Sequence, residues 1–280
     1  MAKESRPTSN ERREAARNQA AQRRAEQLKR DSRNRLIMII AIAVSLAVAV
    51  GAIVFAVYKK NANAGKVDQP AIVTDNGGVS FAGPAKKAGT SSDGKPVLDV
   101  YFDYSCGACA HFELAQRETL AKLLDDDAVN VVLHPVSILG STFTDAAANA
   151  FYEVVDKNPE LAYQFHEKLF TVFLEANQAQ DASKLSFEAI QNTAKELGVP
   201  QSTIDAFSKN TYAPLVSAST TDFVTRSNSG ELSEDKRAAT PTVVKDGKPS
   251  DFALIMQPGG LDQWVRTNTY PTPAATETTK

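Results

Sequence analysis

Two cysteines, Cys106 and Cys109, are the only thiols in this 280-residue chain. They lie in Tyr104-Ser105-Cys106-Gly107-Ala108-Cys109-Ala110-His111-Phe112, directly after an apolar run and at the expected start of a helix. Thiols three residues apart can close on one another. At a helix N-terminus the first thiol meets unpaired amides and the positive end of the dipole. Both favour thiolate, so Cys106 is expected to be acidic and nucleophilic. Cys109 is then placed to attack a mixed disulfide formed at Cys106. The pattern points to thiol–disulfide exchange.

Other uses of two cysteines fit less well. A zinc site takes four Cys or His ligands. Cys106, Cys109 and His111 supply three at most, because His134 and His166 lie far off in sequence. A purely structural disulfide over so short a loop would add little chain-entropy stabilisation. His111, two residues past Cys109, points away from both sulfurs on a helix and reads as a solvent-facing residue. His134, inside an apolar run, reads as a core residue, and His166 falls on an amphipathic helix beside Phe165.

The segments ahead of the cysteines set their compartment. Leu36–Tyr58 is uncharged over 23 residues. As a helix it would span about 34 Å at ~1.5 Å per residue, enough for a bilayer core. Residues 1–35 hold 11 Lys/Arg against 5 Asp/Glu. The positive-inside rule puts this basic tail in the cytoplasm and the remainder of the chain outside. A cleaved signal peptide is the competing reading, with Ala62-Asn63-Ala64 as its cleavage site. The long basic region, the long apolar run and Lys59-Lys60 favour an uncleaved anchor. Either way the cysteines reach a compartment where disulfides persist. Residues 36–280 carry 20 Lys/Arg and 28 Asp/Glu, an acidic balance that argues against a nucleic-acid partner.

Residues 59–96 read as a tether holding one weak hairpin, Ala71–Thr74 against Val79–Ala82 across Asp75-Asn76-Gly77-Gly78. Val97–Phe102 reads as a strand, Cys106 to about Leu124 as a helix, and Val129–Val136 as a second buried strand, which implies a parallel pair. Residues 143–236 read as a helical insertion. In it, Asn158-Pro159 serves as N-cap and first helical position. One apolar face holds Leu161, Phe165, Leu169 and Val172; another holds Phe187, Ile190, Ala194 and Leu197. Residues 237–268 return to strand at Pro241–Lys245, turn at Asp246-Gly247, continue as a strand at Phe252–Ile255 and end in a helix at Gly260–Arg266. Residues 269–280 read as a disordered tail.

This order, with Cys-x-x-Cys after the first strand of an α/β unit, resembles the thioredoxin fold with an inserted helical domain, here preceded by a single transmembrane helix. The chain is similar to the DsbA-like branch of the thioredoxin superfamily over roughly residues 70–268. Tyr101–Glu113 and Ala239–Lys248 carry the match. The resemblance implies that Thr240-Pro241 is cis and faces the redox pair, with Thr240 presenting backbone groups to substrate. Gly107 and Ala108 shape the site. It also implies a thiol:disulfide oxidoreductase with no metal or organic cofactor, acting on reduced secreted proteins and recharged by a membrane redox partner. Reductase or isomerase use of the same site, and a tethered chaperone, are the alternatives.

Two positions depart from the family pattern. Strongly oxidising members carry a histidine between the cysteines, whereas Gly107-Ala108 offers no side-chain donor. A weaker oxidant is therefore expected, its thiolate resting on helix terminus and amides. Relatives also place a buried acid six residues before the first cysteine, where this chain has Val100. Asp99 should face the other way, leaving Asp103, Glu113 or a water as proton acceptor.

Overall fold

The computed structural model describes residues 67–271. The basic tail, the apolar run Leu36–Tyr58 and Ala62-Asn63-Ala64 lie outside the described residues. Within them, no helix is long and apolar enough to cross a membrane.

Six strands form one sheet: β1 Val79–Ala82, β2 Lys87–Ala88, β3 Val97–Phe102, β4 Asn130–Pro135, β5 Thr242–Lys245 and β6 Lys248–Pro249, in the order β2-β1-β4-β3-β5-β6. β3 and β4 are parallel, with Val100 opposite Leu133, and the remaining pairs are antiparallel. Helix α1, Gly107–Asp125, is the crossover between β3 and β4. Every residue of β4 is buried, which its Val-Val-Leu centre makes favourable.

Five α-helices then form the insertion: α2 Thr142–Lys157, α3 Ala162–Gln178, α4 Phe187–Glu196, α5 Gln201–Ala206 and α6 Ala213–Ser229. After β6 come α7 Phe252–Ile255 and α8 Gly260–Thr267. α1 packs on α3 and α8, so the helix that begins at the cysteines is held from both sides.

β3 divides the interior by strand alternation. Leu98, Val100 and Phe102 join the main core with α1 and the insertion helices. Tyr101 faces the opposite way, into a smaller cluster with Val136, Phe223, Leu232 and Val244.

The structure corrects five sequence expectations. Residues 59–96 are not wholly a tether: β1 and β2 extend the main sheet, because Val79 and Phe81, both fully buried, complete the edge of β4. The expected hairpin shrinks to a bridge between Val73 and Val79, closed by Gly77 at φ +78°, which lets its N–H reach Thr74 O at 2.8 Å. Asn158-Pro159 does not start a helix. Asn158 ends α2, and the Pro159 carbonyl accepts from Ala88 N–H at 2.9 Å. Phe252–Ile255 is a helical turn rather than a strand: the ladder ends with Ser250 N–H on Val243 O at 2.9 Å, and the Asp251 carboxylate then caps Leu254 N–H. The tail expected to be disordered is packed at its start. Tyr270 stacks on Trp264 at 5.9 Å, and its hydroxyl accepts from Asp251 N–H.

Candidate active site

β3 delivers the chain to Asp103-Tyr104-Ser105, and Cys106 follows as the N-cap of α1 in an extended conformation (φ −91°, ψ 117°). Its sulfur occupies the place of the usual capping oxygen and accepts from Cys109 N–H at 3.4 Å. Cys106 and Cys109 carry free thiols; Cys106 is 9% exposed and Cys109 2%. Gly107 and Ala108 are exposed, so the turn between the sulfurs is open to a large partner.

The two sulfurs differ in acidity. The Cys106 thiol is lowered to about 6, chiefly by a hydrogen bond from the Cys109 thiol, against the opposing effect of burial. The Thr240 hydroxyl and the backbone N–H groups of Cys109 and Ala108 add to the lowering. Cys109 is pushed well above the ordinary thiol range, first by burial and then by the neighbouring Cys106 sulfur. The surroundings thus favour the thiolate at Cys106 and the neutral thiol at Cys109.

β5 brings the second half of the site. The Thr240–Pro241 peptide is cis, immediately before β5, and Cys106 Sγ lies 3.3 Å from Thr240 O. Cys106, Cys109, Gly107, Ala108, Thr240 and Pro241 therefore come together although the two stretches stand 134 positions apart in the chain. One expectation needs amending. The Cys106 thiol is not lowered by helix terminus and amides alone: the Cys109 thiol contributes first and Thr240 after it.

The acids resolve as follows. Val100 is buried in the main core. Asp99 faces away from the cysteines, its Oδ1 2.8 Å from His134 Nε2. Glu113 is buried on α1, with Oε2 3.4 Å from His166 Nε2 and Oε1 3.8 Å from Arg117 Nε. His166 Nδ1 lies 3.2 Å from the Tyr104 hydroxyl. The Asp103 carboxylate is occupied by three donors. Oδ1 accepts from Ser105 N–H at 2.9 Å and from the Thr144 hydroxyl at 2.6 Å, and Oδ2 accepts from Leu139 N–H at 3.0 Å. His111 is exposed, and among the described residues no group of three or more His, Cys, Asp or Glu is arranged to hold a metal ion.

An acidic thiol at a helix N-terminus, a buried partner thiol and a facing cis-proline loop suit thiol–disulfide exchange. A family profile described as Thioredoxin matches residues 89–254, more than half of the chain. The chain belongs to the thioredoxin family. Among solved structures, this thioredoxin-family chain is similar to the MdbA protein, a thiol-disulfide oxidoreductase from Actinomyces oris, at 27% identity and a TM-score of 0.60. That alignment covers 73% of this chain and 93% of the other. MdbA proteins of Corynebacterium matruchotii and Corynebacterium diphtheriae share the fold, at 20% and 17% identity. The first covers 64% of this chain and 85% of its own with a TM-score of 0.53, the second 65% and 87% with 0.52. A comparison with curated protein sequences finds no match. The chain is an enzyme of thiol–disulfide exchange.

Sequence reasoning missed the Thr240 hydroxyl and the donors around Asp103. Thr144 and Leu139 lie 41 and 36 positions from Asp103, beyond any local spacing signal.

Proposed function

We propose that this chain is a membrane-anchored, extracytoplasmic thiol:disulfide oxidase that introduces disulfides into secreted proteins. The observation that carries it is the opposed acidity of the two sulfurs, Cys106 lowered to about 6 and Cys109 raised. A stabilised thiolate favours the reduced form, which makes the disulfide form an oxidant. The likeness to the Actinomyces oris oxidoreductase supports the chemistry. Leu36–Tyr58 and its basic flank support the location.

In the proposed reaction a substrate thiolate attacks Cys106 Sγ of the Cys106–Cys109 disulfide. The S–S bond breaks and Cys109 leaves, taking up a proton. Cys109 then stays a buried thiol, which slows its return attack on the mixed disulfide. A second substrate thiolate attacks the substrate sulfur and expels Cys106, a good leaving group because its thiol is acidic. Two electrons have passed from substrate dithiol to the cysteine pair. A membrane redox partner withdraws them to restore the disulfide. The exchange balances through sulfur alone and calls for no metal or organic cofactor.

Equilibration of the full chain with glutathione, combined with refolding of reduced ribonuclease, tests the reading. An oxidase should lie nearer the ~−120 mV of strong oxidants than the ~−270 mV of thioredoxin-type reductants. A potential at the reducing end would assign the site to disulfide reduction. Ribonuclease refolding that survives Cys106→Ser would point instead to a holding chaperone. For location, a membrane-impermeant maleimide should label Cys106 in intact reduced cells; labelling only after lysis refutes the outward orientation.

A further inference from the structure

Asp103 is a fully buried carboxylate beside the redox turn, with no cation in contact among the described residues. Burial of a charge is costly unless donors compensate it. Here the donors come from three places: Ser105 N–H in the turn itself, Leu139 N–H in the loop after β4, and the Thr144 hydroxyl in the first turn of α2. Thr144 Oγ1 is also 2.8 Å from Ser105 Oγ, which is 2.8 Å from Ser141 Oγ at the N-cap of α2. A chain of three hydroxyls thus runs from the insertion into the residue preceding Cys106 and ends on the carboxylate.

The Asp103 carbonyl also accepts from Cys106 N–H at 3.0 Å. A shift of the carboxylate would therefore move the peptide group that seats Cys106.

We propose that Asp103 is a positioning residue that couples the helical insertion to the redox turn, with Thr144, Ser105 and Ser141 completing the brace. Its oxygens accept from Ser105, Leu139 and Thr144, which ties three segments of the chain to one side chain. The insertion thereby sets the poise of the cysteine pair as well as covering the sheet. The inference rests on Cys106 and Cys109 being the redox pair.

The test uses the full chain in detergent with Thr144→Val, which keeps shape and removes the hydroxyl, and Thr144→Ser, which restores it. The glutathione equilibrium constant and the Cys106 thiolate absorbance against pH are read for each. Loosening the turn should weaken the seat of the thiolate. Thr144→Val is expected to raise the Cys106 midpoint and disfavour the reduced form about threefold, and Thr144→Ser to return both to wild type. Wild-type values in Thr144→Val, or an equal shift in Thr144→Ser, overturn the brace. If Thr144→Val does not fold, Ser105→Ala replaces it: it cuts the hydroxyl chain but leaves the Asp103 charge and amide bonds. It should shift both readouts the same way by about twofold, and unchanged values again overturn the proposal. A wild-type protein that fails to equilibrate with glutathione at all would instead overturn the redox reading itself.

Discussion

The two faces of β3 carry buried ionisable groups to opposite ends. On the face toward α1, the strand leads into the redox turn, where donors on one sulfur lower its thiol to about 6. On the other face Tyr101 stacks between His134 and Phe223, at 4.2 and 4.9 Å. There Asp99 pairs with His134, and the Tyr101 hydroxyl accepts from Arg226 at 3.0 Å. Arg226 is itself held by Glu231 and Asp222. Burial lifts the Tyr101 hydroxyl to about 12, so it stays neutral. Both faces are buried and polar, but only the first keeps a charged atom beside an exposed turn. Reactivity follows from which state the surroundings stabilise, not from burial alone.

The largest effect should come from Cys106. Cys106→Ser is expected to lower insulin reduction by at least about a thousandfold, because a serine hydroxyl does not ionise at a helix terminus as a thiol does. Cys109→Ser should instead accumulate mixed disulfides at Cys106, visible by mass on non-reducing gels. In the wild type, iodoacetamide labelling of Cys106 should rise with pH around a midpoint of about 6, while Cys109 lags well behind. Preferential labelling of Cys109 below neutral pH would reverse the assignment. Folding lowers the Cys106 thiol from an unfolded value of about 8.5. The stabilisation this gives the reduced fold is complete above that pH and is lost as pH falls through about 6.

The legible part of this site was the part written in consecutive residues. Cys-x-x-Cys after an apolar run located α1, and Val97–Phe102 and the Val-Asn-Val-Val-Leu run located the parallel pair. Thr240-Pro241 was tied to the cysteines only by family resemblance, since nothing local links it to Cys106. Strand β1 was legible with its bounds, Val79–Ala82, but its partner was not: four residues after a Gly-Gly turn read as a hairpin, and only the open side of β4 decides otherwise. Phe252–Ile255 misled because four apolar residues fit a strand or a helical turn equally, and the Asp251 cap settled it. The brace on Asp103 was illegible because its hydroxyls come from a helix that sequence alone does not dock.

A second perturbation of the reactive face should be smaller. Thr240→Val removes a hydroxyl that acts on both sulfurs while keeping the backbone branch. The alkylation midpoint of Cys106 is expected to rise by roughly 1 pH unit, with a matching loss of oxidising power. An unchanged midpoint would return the whole effect to Cys109 and the helix amides. Ala108→His tests the same electrostatics from the exposed side. Ala108 is exposed, so an imidazole can stand over the helix terminus, and the midpoint should fall by about half a unit as the potential rises. If both stay put, the existing donors already saturate the thiolate.

The smallest effect is expected on the far face, and it decides whether the two faces are independent. Tyr101→Phe removes one hydroxyl and with it the hydrogen bond from Arg226. The ring stays stacked between His134 and Phe223. Arg226 keeps Glu231 and Asp222 as partners, so no buried charge is orphaned. The cost should be about 1 kcal/mol in urea unfolding, the worth of one ordinary hydrogen bond. The Cys106 midpoint and insulin turnover should stay at wild type, because Tyr101 points away from α1. A stability loss with unaltered sulfur chemistry would show that β3 insulates its two faces. A shifted Cys106 midpoint would show that the strand transmits strain from Tyr101 to Asp103, two residues along the same backbone, and would merge the two polar centres into one.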